Sequence, residues 1–187
     1  PYYNKPTQAG LKAHYLALAE ASTKPIIIYD IPGRSVIGMT DDTMANLSEH
    51  ELIVGVKDAT ADLGRPTRLL NLIGEEFIQL SGEDGTALTY LAAGGHGCIS
   101  VTANIAPKLL SNMHNAWQNG DIKKSQEINK KLMPLHDALF CETSPGPLKY
   151  AASLLNLCSN ETRLPIVEIA SDSKKKVEEA LALADLI

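Results

Sequence analysis

The chain has 187 residues, 44% of them hydrophobic and 21% charged, the balance of an ordinary globular protein long enough to bury a core of its own. A formal net charge of −5, with Lys174-Lys175-Lys176 as its one dense basic run and Glu178 and Glu179 just beyond, excludes a protein built around the phosphate backbone of nucleic acid. No apolar run approaches the roughly 20 residues of a membrane span, and no signal-peptide order is present, so no membrane partner and a cytoplasmic location are expected.

Residues 2–6 read as a loop, and Thr7 can cap a helix in which Leu11, Tyr15, Leu16 and Ala19 recur at helical spacing. After Lys24-Pro25 the period changes. Ile26-Ile27-Ile28-Tyr29 is a predicted buried strand, closed by the turn Asp30-Ile31-Pro32-Gly33-Arg34. A helix starts at Thr40-Asp41-Asp42, and residues 52–57 form the next strand. A helix over 62–73, a strand over 77–81, a helix from about 85 to 93, a strand over 98–101 and a helix over 107–118 follow. Short buried strands alternating with helices predict βαβ units and a parallel sheet. Strand starts spaced by roughly 21 to 26 residues suit a (β/α) barrel, whose unit averages about 30, with a doubly wound sheet as the alternative. From residue 121 the pattern is helical only, over 122–139, 147–157 and 173–186. Two domains are therefore expected, a barrel portion over 1–118 and a helical extension over 119–187.

Cys98, Cys141 and Cys158 are odd in number, widely spaced and without a C-x-x-C pair, which reads as reduced thiols. The five histidines, His14, His50, His96, His114 and His136, form no H-E-x-x-H pattern or ligand pair, so no metal site is expected. Gly94-Gly95-His96-Gly97 has the composition of a phosphate loop, but it follows a helix and precedes a strand, the reverse of a nucleotide-binding loop. A tight turn at the structural face of the fold is expected there.

In parallel α/β folds functional groups gather at the carboxyl ends of the strands. Here those ends carry Tyr29 then Arg34, Lys57 then Asp58, Ser81-Gly82-Glu83-Asp84, and residues 100–102. Lys57 closes an apolar β-branched run, an odd place for an ammonium. In a pocket, desolvation disfavours its charge and leaves an amine able to form a Schiff base with a carbonyl. Taken singly, Lys57 also fits a stem packed along the strand with its head in water. Tyr29 fits either a proton relay or a half-buried phenol bonded to backbone, and Arg34 either a carboxylate clamp or a surface arginine. Their convergence on one predicted rim favours the functional reading of all three.

Five motifs go further: residues 1–6 (Pro-Tyr-Tyr-Asn-Lys-Pro), Tyr29-Asp30-Ile31-Pro32-Gly33-Arg34, Gly55-Val56-Lys57-Asp58-Ala59-Thr60, Leu80-Ser81-Gly82-Glu83-Asp84, and Gly94-Gly95-His96-Gly97-Cys98-Ile99-Ser100. In this order and spacing the chain resembles the dihydrodipicolinate synthase family of class I aldolases, within the N-acetylneuraminate lyase superfamily, along essentially its whole length. The resemblance implies the C-terminal half of a TIM (β/α)8 barrel followed by a small C-terminal helical bundle. It implies a lyase condensing pyruvate with L-aspartate semialdehyde to 4-hydroxy-tetrahydrodipicolinate, in lysine and diaminopimelate biosynthesis. Lys57 would be the Schiff-base lysine, with no separate cofactor, and Tyr29 the proton relay beside it. Tyr3 would cross a tight dimer interface to a neighbouring relay, and Arg34 would hold the carboxylate of the aldehyde. Gly82 and Ile99 would border the pyruvate pocket, and Tyr2 a lysine effector site. A homotetramer, a dimer of dimers, is implied.

The arginine after Pro-Gly favours the synthase branch over the neuraminate lyases and the keto-deoxy sugar acid aldolases. Asp30 and Asp58 depart from the Asn and Glu of many members. The family places about four βα units, and the threonine completing the relay, ahead of the point where this chain opens. The chain is therefore expected to be a C-terminal fragment, and a non-catalytic half barrel that complements or supports another chain is the alternative to an enzyme.

Overall fold

The computed structural model describes residues 1–187. Thr7 caps α1 (Gln8–Ala21), its Oγ1 accepting from the Gly10 amide. Then come β1 (Ile26–Asp30), the short α2 (Pro32–Ser35), and α3 (Asp41–Ser48) behind a Thr40 cap. β2 (Ile53–Asp58), α4 (Arg65–Ile73), β3 (Ile78–Ser81), α5 (Ala87–Ala92) and β4 (Gly97–Cys98) follow in alternation. The four strands are parallel and ordered β1-β2-β3-β4, each beside its neighbour in sequence. A doubly wound sheet reverses its strand order at a switch point. This sheet does not, so its winding is that of a barrel, four strands of eight.

One face of the sheet is covered. Ile28 and Val56 pack there against Ala19 of α1, Met44 and Leu47 of α3 and Leu69 of α4. Each fully buried side chain of this size contributes about 1.5–3 kcal/mol relative to exposure. The opposite face carries Ile27, Tyr29, Ile78 and Ile99 at 37% to 44% exposure. In a closed barrel that face lines the interior. β2 and β3 approach closely at Gly55, where a Cβ would lie 2.5 Å from the Ile78 carbonyl oxygen. Gly55→Ala is accordingly expected to cost about 1–3 kcal/mol, read as a lower urea midpoint at unchanged slope.

Among the element boundaries that differ from expectation, two have local hydrogen-bonding reasons. The helix expected from residue 62 begins at Arg65, because Thr60 Oγ1 accepts from the Asp62 amide at 3.2 Å and Asp62 Oδ1 from the Gly64 amide at 3.1 Å. These side-chain turns compete with the first helical turn. The strand expected over 98–101 stops at Cys98. The Ile99 amide donates the last ladder bond, to Ser81 at 2.9 Å, and Ser100 Oγ accepts from the Ala103 amide to open a 3-10 turn, Thr102–Asn104.

The chain divides into two compact units, Pro1–Ile99 and Ser100–Ile187. The second unit holds α6 (Pro107–Gln118), α7 (Ile122–Ala138), α8 (Gly146–Leu154) and α9 (Ser171–Leu183). Leu110 and Met113 of α6 share a core with Leu132 and Leu135 of α7 and Val177 and Leu181 of α9. Ser125 Oγ, buried, donates to the Met113 carbonyl at 3.0 Å. The amphipathic face of α6 therefore groups it with the helical extension. No helix is long and apolar enough to cross a membrane.

Candidate active site

Parallel pairing of β1 with β2 makes Tyr29 and Lys57 direct register partners. Neighbouring strands lie about 4.8 Å apart, so partners on one face touch. Lys57 Nζ sits 3.8 Å from the centroid of the Tyr29 ring, within cation–π range. Leu80 and Gly97 continue the same row across β3 and β4.

The ladder extends one residue past each strand. The Ala59 amide donates to the Asp30 carbonyl at 2.9 Å, the Gly82 amide to Asp58 at 2.6 Å, and the Ile99 amide to Ser81 at 2.9 Å. By the two-residue alternation of a strand, Ala59, Gly82 and Ile99 form the next row on the Lys57 face. A Cβ on Gly82 would come within 2.9 Å of the Ala59 Cβ, so the row beside Lys57 stays shallow. The result is an amine with a phenol against it at the carboxyl end of the sheet. An amine so placed can add to a carbonyl, and a phenol so placed can pass protons to and from the adduct.

The chain brings together Tyr29, Lys57, Gly82 and Ile99 on one face. Arg34 lies in α2, an exposed position one turn beyond β1, where Pro32 opens the helix and Val36 ends it at φ 68°. Tyr2 and Tyr3 stand at the N-terminus, 65% and 87% exposed. The glycine-rich segment is the packing turn expected from its order. The His96 amide donates to the Gln79 carbonyl at 2.8 Å, and His96 Nδ1 accepts from the Gln79 amide at 3.1 Å. A Cβ on Gly95 would lie 2.2 Å from the Tyr90 ring, so only glycine fits. Cys98 pairs with Ser81 rather than with the Lys57 row, and burial, with Asp84 adding to it, pushes its thiol up to about 12. It is a neutral packing group. No three His, Cys, Asp or Glu side chains stand close enough to hold a metal ion.

Sequence reasoning passed over a buried charge cluster on the other side of the sheet. Arg65, 2% exposed, donates through Nη1 to Asp30 at 2.7 Å and to Asp58 at 3.5 Å, through Nε to Asp41 at 3.0 Å and through Nη2 to the Met39 carbonyl at 2.9 Å. Asp58 also accepts from the Thr60 amide at 2.8 Å and from its hydroxyl at 2.7 Å. Burial works against the guanidinium charge, but the carboxylates prevail and hold Arg65 above its ordinary value. A signal for this cluster exists in the sequence. Asp30 and Asp58 each follow a rim residue by one position, so alternation turns both into the helix layer, where they need a cation. Arg65 opens a helix, where a positive charge opposes the dipole unless carboxylates receive it.

Residues 1–184 match the family model described as the Dihydrodipicolinate synthetase family. The chain belongs to that family. A member from Gluconacetobacter diazotrophicus, named 4-hydroxy-tetrahydrodipicolinate synthase, is 54% identical over 188 residues, covering 100% of this chain and 63% of its own. A chloride-inhibited dihydrodipicolinate synthase from Acinetobacter baumannii, solved in complex with pyruvate, superposes with a TM-score of 0.95 at 41% identity, over 100% of this chain and 64% of that one. The DHDPS of Cyanidioschyzon merolae with lysine bound gives a TM-score of 0.97 at 34% identity, over the same shares. The chain thus spans 63% to 64% of the length of these dihydrodipicolinate synthase relatives, and its four-stranded sheet is part of their barrel.

Proposed function

We propose that the chain carries the Schiff-base machinery of a 4-hydroxy-tetrahydrodipicolinate synthase, a cytoplasmic biosynthetic lyase acting on pyruvate and L-aspartate semialdehyde. The observation that carries this reading is the Lys57 amine held 3.8 Å over the Tyr29 ring at the carboxyl end of the sheet. The neutral amine adds to the ketone carbon of pyruvate, and loss of water gives an imine. The methyl carbon then gives up a proton, and the resulting enamine carbon attacks the aldehyde carbon of the semialdehyde. The semialdehyde's amino group closes on the imine carbon and displaces Lys57, which returns as the free amine. Tyr29 supplies the phenol for the proton transfers at the carbinolamine. Arg34 pairs with the carboxylate of the semialdehyde, and Gly82 and Ile99 border the bound pyruvate.

Tyr3 is 87% exposed on its own chain, so a relay role for it requires a second copy. A homo-oligomer assembled as a dimer of dimers supplies one. Tyr2 then borders a site for lysine as effector. The relatives solved with pyruvate and with lysine bound support pyruvate as a substrate and lysine as an effector. Incubation with pyruvate and borohydride tests the reading: a reduced adduct is expected, mapping to Lys57. A folded sample without adduct, or with the adduct on another lysine, would overturn it.

The uncovered apolar side chains of Ile27, Ile78 and Ile99 on one face support a second reading, a half barrel that completes another chain. Under that reading the purified chain associates with a fragment carrying the remaining strands and forms no adduct until it does.

A further inference from the structure

Asp30 and Asp58 are register partners, just as Tyr29 and Lys57 are one position earlier. Alternation sets the two pairs back to back through the same two strands, the aspartates on the covered face at 4% exposure each. Like charges on directly opposed residues push strands apart, the more so out of water. A single guanidinium nitrogen bridges them here, Nη1 of Arg65 at 2.7 Å and 3.5 Å. The rest of the fork is tied to Asp41 and to the Met39 carbonyl, so Arg65 is held at four points.

We propose that Arg65 is a positioning residue for imine formation. It clamps the carboxyl ends of β1 and β2 and so fixes the Tyr29 phenol against the Lys57 amine. The proposal rests on the reading of Lys57 and Tyr29 given above. Its physical basis is that adjacent residues of a strand move together: any widening between Asp30 and Asp58 carries Tyr29 and Lys57 apart by a comparable amount. A lysine at 65 would keep the charge, but a point charge cannot hold two carboxylates, a third and a carbonyl in one plane.

The test is the initial rate of borohydride-trapped adduct formation against pyruvate concentration, in the wild type, Arg65→Lys, Tyr29→Phe and the double variant. Arg65→Lys is expected to lower the maximal rate by roughly 10- to 100-fold, since a misplacement of about 1 Å can cost about 100-fold. The half-saturating pyruvate concentration stays unchanged, because Arg65 does not touch the ligand. In the Tyr29→Phe background the same substitution is expected to cost less than about twofold, because the hydroxyl it aligns is already gone.

Equal costs in both backgrounds, an unchanged maximal rate in Arg65→Lys, or a change confined to half-saturation would each overturn the positioning role. Asp58→Asn, which keeps the side-chain shape and its Thr60 bonds, is the second variant and should give the same pattern more weakly. If neither variant folds, the cluster is structural only and the proposal fails. A wild type that forms no Lys57 adduct overturns the underlying reading instead, which keeps the two failures distinct.

Discussion

Lys57→Ala is expected to leave no reduced pyruvate adduct on the chain, whereas Tyr29→Phe keeps the adduct and slows its formation by about 100- to 10,000-fold. The two variants separate bond formation from proton transfer. Alanine removes the nucleophile, and no hydrogen-bonding or packing change substitutes for it. Phenylalanine keeps the ring and its cation–π contact with Nζ, 3.8 Å from the centroid in the wild type, and removes only the hydroxyl. Its rate deficit therefore measures what the phenol contributes as acid and base. Tyr29 is 44% exposed, so loss of its hydroxyl leaves no buried group unpaired, and the melting midpoint of Tyr29→Phe should match that of the wild type. Intact mass and peptide mapping after borohydride reduction give both results. Wild-type rates of adduct formation in Lys57→Ala would sink the assignment.

Arg65→Met is expected to lower folding stability by about 3–5 kcal/mol, the usual consequence of removing one partner from a buried ion cluster. The Arg65 side chain is 3% exposed and faces Asp30 at 3% and Asp58 at 2%. Without it two carboxylates remain buried on opposed residues with no cation between them. Methionine fills much of the stem volume, so the loss reports charge rather than a cavity. Combining Arg65→Met with Asp30→Asn and Asp58→Asn should recover much of the deficit, because a neutral cluster carries no uncompensated charge. Arg68→Met provides the contrast. Its side chain is 48% exposed, bridging Asp41 at 2.6 Å and Asp62 at 2.7 Å, and its urea midpoint should stay close to the wild type. Arg65 is held above its ordinary value. Its stabilisation is therefore fully present below that value and lost only as the pH rises through the higher folded one. The wild type should show no Arg65-linked loss between neutral and mildly basic pH.

The alternation of strands and helices was legible because its signals are local, whereas the choice of a barrel winding over a doubly wound one rested on the strand order. Ile26-Ile27-Ile28 and residues 52–56 could be nothing but buried strands at their length and β-branched content, and Thr7 and Thr40 announce the helices that follow them. The boundaries that shifted did so through side chains competing with the backbone. Thr60 and Asp62 delay α4, and Ser100 turns the chain out of β4, choices that depend on which partner lies nearest rather than on period. Residues 107–118 follow the last strand in sequence. Their apolar face settles against α7 and α9, a fact of packing that no window of residues contains.

By itself the sequence determined that Lys57 and Tyr29 stand near the carboxyl ends of two successive buried strands, since strand length and alternation are properties of short segments. The five motifs determined the family. Only the tertiary structure decided the register that puts the Lys57 amine 3.8 Å over the Tyr29 ring, because a slip of one residue between β1 and β2 would turn one of the two to the other face. It alone decided that Arg65, seven residues beyond Asp58 in sequence and 35 beyond Asp30, closes a charge cluster behind that pair. Buried charges choose their partners in space, and the helix that delivers Arg65 to both carboxylates exists only once α4 has packed on the sheet.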